Sequence, residues 1–506
     1  MIETRSRLLA TLLAGALALT FTAPSFAETT RRPAEAAKEQ SAEANRLPAD
    51  VTTEQTVELP DRTLRFKATA GSIPINNAEG KLQAEIAYIA YVRPDSDAAG
   101  RPVTFVFNGG PGASSAYLQL GAMGPWRLPL DNLTPSSTPA TVPNPETWLD
   151  FTDLVFVDPV GTGYSRFINT SDEVRKQFWS VDGDIDVLAT FMRKWIEKAG
   201  RQASRKFIAG ESYGGFRAPR LASKLNEQGV AVSGLVLMST PLDLGWRGHG
   251  RHSPLAWVSR LPSMAAAIRE EKSSFDREAL REVERYAGGE YLQDLLRGER
   301  DGAAIERITA RVAPLIGLDP ALVRRRAGRI DIRTFQRERS HGSVVSMYDA
   351  TVRGIDPDPS ASYSNFEDPV LNGLRAPLSS AMTSLYARVL NWRVEEPYQL
   401  LNGRVNSRWD WGAGRSTQEI VSDLRSVLAA DPKLRVLVTH GASDLVTPYF
   451  ETQMILDQMP AFASPDRLKS MVYGGGHMYY SRDASRRALR EDAKELYRAS
   501  EQAPRG

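Results

Sequence analysis

The spacing of apolar positions changes along the chain, and each change marks an element. Leu82 to Val92 alternates through Ala84, Ile86, Tyr88 and Ala90, which predicts one strand of a half-exposed antiparallel pair. Val103 to Phe107 is nearly continuously apolar, as are Leu154 to Val157, Phe207 to Ala209, Leu235 to Met238 and Val436 to Val438. Short runs of that kind predict strands buried on both faces of a parallel sheet. Between them, Ile185, Leu188, Phe191, Met192 and Trp195 recur at helical spacing within 182–199, and Gly215 to Asn226 is compatible with a second helix. Strands alternating with helices predict an open α/β sheet, with its site at the carboxyl ends of the strands.

The alternation lapses between about Asp243 and Trp411. Helical periodicity returns there at Phe275 to Tyr286 and Ile305 to Ile316, while prolines and glycines break up the rest, as in Asp356-Pro357-Asp358-Pro359. No buried parallel strand is visible in this stretch. The expectation is a mainly helical cap, residues 243–411, inserted between two parts of one α/β core, 51–242 and 412–506.

Ahead of the core, Arg5 and Arg7, an apolar run from Leu8 to about Phe21, Pro24 and the small-x-small Ser25-Phe26-Ala27 read as a signal peptide cleaved after Ala27. The run falls short of the roughly 20 residues that span a bilayer. Residues 28–50, rich in Ala, Glu, Lys and Arg without an apolar stripe, read as a flexible leader or a frayed helix, with structure beginning near Val57. The expected product is exported and free of the membrane, in the periplasm rather than the medium.

Composition narrows the chemistry. A formal net charge of +2 lacks the basic surplus that phosphate binding needs, so no nucleic-acid partner is expected. The arginine-rich run from Arg324 to Arg339 is interrupted by Asp331 and Glu338 and reads as a solvated helical surface. With 0 cysteines, thiol nucleophiles, disulfides and cysteine-ligated metals are excluded. The 5 histidines form no His-x-x-x-His pair, and neither metal nor cofactor is expected.

Gly210-Glu211-Ser212-Tyr213-Gly214 lies between a predicted buried strand and a predicted helix. A serine on such a turn is pushed clear of the backbone, and the glycines remove Cβ atoms that would clash. Alone the pattern is weak; its partners give it weight. Asn108-Gly109-Gly110-Pro111-Gly112 ends an earlier buried strand, so the Gly110 and Tyr213 amides could form an oxyanion hole. Asp444 and His477 each follow a late strand, giving the order Ser212, Asp444, His477. A serine hydroxyl needs a base, histidine suits neutral pH, and a carboxylate fixes its tautomer. His440 also ends a strand but sits where the acid is expected; His249, His252 and His341 fall in the insertion away from any motif.

These motifs, with Asp158-Pro159-Val160-Gly161-Thr162-Gly163-Tyr164-Ser165 and Gly475-Gly476-His477-Met478, resemble the serine carboxypeptidase family of the α/β-hydrolases. The resemblance runs from about residue 80 to 490. It implies an α/β-hydrolase fold and a peptidase that removes C-terminal residues from peptide substrates through a serine acyl-enzyme. It also implies that Asn108 and Glu211 hold the substrate's terminal carboxylate and that Met478 lines the substrate site. Three positions depart from the family pattern: Val106 in place of a tryptophan, Ala113 in place of a cysteine, and Ala122 in place of a second glutamate. In the family the two carboxyls share a proton, so Glu211 lacks its expected partner, and Arg127 or Arg217 is a candidate replacement charge. Two alternatives stay open: a serine esterase, acyltransferase or differently specific peptidase on the same triad, and a noncatalytic binding protein. Oligomeric state is not legible.

Overall fold

The computed structural model describes residues 46–94, 100–131, 133–247, 253–462 and 464–501. The expected signal peptide, most of the expected leader, His249 and His252 lie outside the described residues. The chain enters its fold earlier than Val57. Leu47 is buried with its N–H on Glu85 at 2.8 Å, and Asp50 accepts the Tyr88 hydroxyl at 2.6 Å.

The main sheet contains β1 (Val51–Glu58), β2 (Thr63–Asn76), β3 (Leu82–Val92), β4 (Val103–Phe107), β5 (Asp153–Val157), β6 (Lys206–Glu211), β7 (Gly234–Met238), β8 (Arg435–Gly441) and β9 (Leu468–Tyr473). Their spatial order is β1-β2-β3-β5-β4-β6-β7-β8-β9, and a short strand at Arg166–Phe167 also pairs with β3. From β5 to β9 every pairing is parallel, while β1, β2, β3 and β5 pair antiparallel. The five apolar runs read as buried strands fall on β4 to β8. β3 differs from its expectation: apart from its two end residues it is buried on both faces, because it lies inside the sheet between β2 and β5.

Helices cover both faces of the sheet. α1 (Val181–Lys198), α2 (Tyr213–Glu227) and α7 (Val421–Ala430) pack through Leu188, Phe191, Trp195, Phe216, Leu221 and Leu424 against one face. α6 (Pro369–Ser384) and α9 (Asp483–Ala499) place Leu378, Met382, Leu489 and Tyr497 against the other.

Residues 243–411, read as one insertion, divide between two cores. α3 (Leu255–Glu270), α4 (Arg277–Tyr286) and α5 (Gly302–Ile316) build a separate core with Ala442, Leu445 and α8 (Tyr449–Leu456). α6 and the segment bearing Trp392, Tyr398 and Leu400 join the core of the sheet instead. The insertion also holds an antiparallel pair, Ser343–Val345 with Arg353–Ile355. In the arginine-rich run, Arg324, Arg325 and Arg326 are exposed as expected, whereas Arg337 pairs with Asp356 at 3.1 Å and Arg339, 6% exposed, pairs with Glu271 at 2.8 Å.

Candidate active site

Ser212 stands between β6 and α2 at φ 58° and ψ −124°, a left-handed backbone that costs a non-glycine residue about 1–3 kcal/mol. The turn is held by its surroundings. The Ser212 N–H donates to the Met238 carbonyl of β7 at 2.8 Å, and a Cβ on Gly210 would lie 2.2 Å from the Gly214 carbonyl carbon. The Ser212 hydroxyl makes no capping bond to α2 and stays at the surface of the site. The glycine loop after β4 is pressed against this turn: a Cβ on Gly109 would meet the Tyr213 nitrogen at 2.6 Å and the Ser212 Cβ at 2.8 Å. Among the described residues the Gly110 and Tyr213 amides have no acceptor. Tyr213 is the first residue of α2, so its N–H belongs to the positive end of the helix dipole.

Asp444 and His477 come from the loops after β8 and β9, and their side chains meet: His477 Nδ1 lies 2.8 Å from Asp444 Oδ2. Asp444 is fully buried and accepts the Val446 and Thr447 N–H groups at 2.8 and 3.0 Å on Oδ1 and the Thr447 hydroxyl at 2.5 Å on Oδ2. Burial works against its ionisation, but the His477 charge and these bonds outweigh it and hold the carboxyl below its ordinary range. The backbone of His477 is fixed too. Its N–H donates to the Tyr348 carbonyl at 2.5 Å, and its carbonyl accepts the Ser239 hydroxyl at 2.8 Å.

Glu211 and Asn108 lie side by side at the ends of β6 and β4, with Asn108 Nδ2 donating to Glu211 Oε2 at 3.2 Å. Glu211 Oε1 is 3.8 Å from His477 Nε2. Burial pushes the Glu211 carboxyl up, and neither His477 nor the bonds it accepts cancel that effect. Asn108, Gly110, Glu211, Ser212, Tyr213, His477 and Met478 all line one cavity of about 240 Å³, with Asp444 behind His477.

The two arginines suggested as a replacement charge do not line this cavity. Arg217 is 1% exposed, donating to Asp184 at 2.6 Å and to the Asn108 carbonyl at 2.8 Å, and so braces the glycine loop from behind. Arg127 faces Asp483 at 3.9 Å. The arginine that does line the cavity is Arg415, stacked over Trp411 at 5.0 Å. His440 is buried with Nδ1 3.2 Å from the Thr447 carbonyl, and His341 is exposed. Among the described residues no group of three His, Asp or Glu is placed to hold a metal ion.

Three contributors were not foreseen. Thr447, three residues after Asp444, bonds both Asp444 and His477, the latter at 3.2 Å. Tyr348, from the insertion, sets its ring edge-on to His477 at 5.4 Å. Tyr480, three residues after His477, donates its hydroxyl to Glu211 Oε2 at 2.5 Å. The short spacings of Thr447 and Tyr480 were visible signals; nothing near Tyr348 in sequence announces its role.

A serine in a strained strand-to-helix turn, beside an aspartate–histidine pair carried by two later strands of a mainly parallel sheet, defines an α/β-hydrolase. Residues 60–235 match the family model described as serine carboxypeptidase. It is 29% identical over 207 residues to serine carboxypeptidase-like 26 of Arabidopsis thaliana, covering 38% of this chain and 43% of that protein. It is 24% identical over 372 residues to pheromone-processing carboxypeptidase KEX1 of Coccidioides posadasii, covering 71% and 50% respectively. The chain spans half or less of the length of these curated relatives. The crystal structure of Kex1(delta)p, a prohormone-processing carboxypeptidase from Saccharomyces cerevisiae, superposes with a TM-score of 0.53 at 16% identity, over 85% of this chain and 91% of that one, and shares its fold.

Proposed function

We propose that this protein is an exported serine carboxypeptidase that releases C-terminal residues from peptides through Ser212, His477 and Asp444. The observation that carries this is the single cavity in which Ser212 and His477 stand beside the Asn108–Glu211 pair. His477 takes the Ser212 proton as the hydroxyl attacks the last peptide bond, and Asp444 holds the ring through Nδ1 and stabilises the imidazolium. The Gly110 and Tyr213 amides receive the oxyanion; one such donor is worth about 10²–10³ in rate. The proton then passes to the leaving amine, and water hydrolyses the acyl-enzyme with the same base. Protonated Glu211 and the Asn108 amide hold the terminal carboxylate. The burial that raises Glu211 supports that role.

The test uses paired peptides with free and amidated C-termini, read by mass spectrometry between about pH 4 and pH 8, with Ser212→Ala as the blank. Loss of single residues from free C-termini only is expected. Equal cleavage of both, or of neither while esters turn over, would replace this reading with an esterase, acyltransferase or other peptidase on the same triad. That second reading is favoured by Ala122, a buried residue with no polar group where a second carboxyl was expected. Export is supported by the pattern of residues 1–27, and the periplasm is the proposed destination; fractionation of the cell and medium separates the two.

A further inference from the structure

Glu211 has two oxygens with unlike surroundings. Oε2 accepts from Asn108 Nδ2 at 3.2 Å and from the Tyr480 hydroxyl at 2.5 Å. The Asn108 amide cannot turn round to accept instead, because its Oδ1 already takes the Leu118 N–H at 3.1 Å. Oε1 faces His477 Nε2 at 3.8 Å, on the cavity side.

Resting on the carboxypeptidase reading, we infer that Tyr480 is a positioning residue for terminal-carboxylate recognition. Its hydroxyl, with the Asn108 amide, keeps Glu211 Oε2 an acceptor, so that the acid proton sits on Oε1 and points at the substrate's carboxylate. Tyr480 thereby supplies the partner that Ala122 cannot. The packing is built for it. A Cβ on Gly121 would lie 2.7 Å from Tyr480 Cε2, so the ring occupies room that Gly121 leaves. Arg486, 3% exposed, fixes the Tyr480 carbonyl at 3.2 Å and pairs with Glu146 at 3.1 Å. Burial and the neighbouring Glu211 push the Tyr480 phenol well up, so it remains a donor across the working range. The titratable groups facing Glu211 are His477, Asp444, Tyr480, Tyr479, Tyr117 and Tyr348.

The experiment compares wild type, Tyr480→Phe and Gly121→Ala, a substitution that displaces the ring while keeping its hydroxyl. Each is assayed on a free-acid peptide and on the ester of the same sequence between about pH 4 and pH 8. The ratio of free-acid to ester kcat/KM should fall about threefold to tenfold at low pH in both variants, with the loss in KM, as expected for one lost hydrogen bond. In Tyr480→Phe the alkaline decline of free-acid turnover should also move to higher pH, because the lost bond favoured the carboxylate. A lower plateau with a later decline is not what general loosening produces. A constant ratio with an unmoved decline overturns the inference. If wild type itself shows no preference for the free acid, the carboxypeptidase reading has failed and Tyr480 with it; a wild-type preference that survives both variants overturns the Tyr480 role alone.

Discussion

Asp158 gives the most quantitative prediction. It follows β5, is 1% exposed, and accepts the Ser115 N–H and hydroxyl, both at 2.8 Å, on one oxygen and the Tyr398 hydroxyl at 3.2 Å on the other. It thus ties the glycine loop of the site to two other segments. Burial lifts its carboxyl from the ordinary 3.8 to about 6, with the Ser115 and Tyr398 bonds limiting the rise. A shift of about two units, at about 1.4 kcal/mol per unit, is worth about 3 kcal/mol. Because the folded value is the higher one, the penalty is absent below about pH 3.8, grows as pH rises to about 6, and is complete above it. Asp158→Asn cannot ionise. Relative to wild type, the variant should therefore gain about 3 kcal/mol of stability between about pH 4 and pH 7.5. Any fixed cost of placing an amide against Tyr398 cancels in that slope, and so do the other titrating groups. Urea unfolding of both proteins at matched pH measures it, and difference infrared spectroscopy should show one protonated carboxyl, titrating near pH 6, missing from the variant. A stability difference that stays flat with pH, or a missing band that titrates near pH 4, would refute the reasoning.

Three further outcomes follow from the site. Asp444→Asn keeps the shape but loses the acceptor at His477 Nδ1, and kcat should fall about 10³–10⁴-fold in a steady-state ester assay. Gly109→Ala forces a Cβ within 2.8 Å of Ser212 Cβ, so the glycine loop must withdraw; kcat should fall at least about 10²-fold, as for a lost oxyanion donor, and acylation by a fluorophosphonate should slow with it. Asp349→Ala removes the acceptor of the Gly476 N–H at 3.2 Å beside His477, and kcat should drop by about tenfold with a smaller change in KM, read from full progress curves.

What could be read from the sequence was what is decided within a few residues. In the Ser212 turn Gly210 is pressed against the Gly214 carbonyl, a contact that the motif itself contains, while Gly214 meets the Phe107 carbonyl at the end of β4, which it does not. Asp444 and His477 stand out because each follows a late strand, the first buried, the second buried only at Tyr473. β3 misled because its polar positions are satisfied internally: Glu85, 1% exposed, takes the Leu47 N–H, so alternation there does not mean exposure. The insertion misled because α3 and α6 are both apolar enough to bury, and only tertiary packing decides that one joins its own core and the other that of the sheet. Arg217 was offered as a ligand for a carboxylate because sequence shows a charge near the elbow but not Asp184, 33 positions away, which takes it.

The insertion has a hold on His477, the proposed base, that its separate core does not suggest. Three successive amides of the histidine loop are accepted by insertion residues: Gly475 N–H by Glu270 of α3 at 3.1 Å, Gly476 N–H by Asp349 at 3.2 Å, and His477 N–H by the Tyr348 carbonyl at 2.5 Å. Arg482 joins Glu270 and Asp349 from the far side of the same loop. Ser212, by contrast, is set by the sheet and its turns, while the neighbours of Asp444 also bond the insertion, the Ser443 hydroxyl donating to Asp349 and the Leu445 N–H to the Met347 carbonyl, both at 3.0 Å. The geometry of His477 therefore depends on the sheet and the insertion at once. A rearrangement of α3 that reshaped the substrate cavity would move His477 relative to Ser212, and displacements on the order of 1 Å at such a contact can cost about 10²-fold in rate. An insertion residue that does not touch Gly475 to His477, such as Leu371, which lines the cavity from α6, can be exchanged without that displacement.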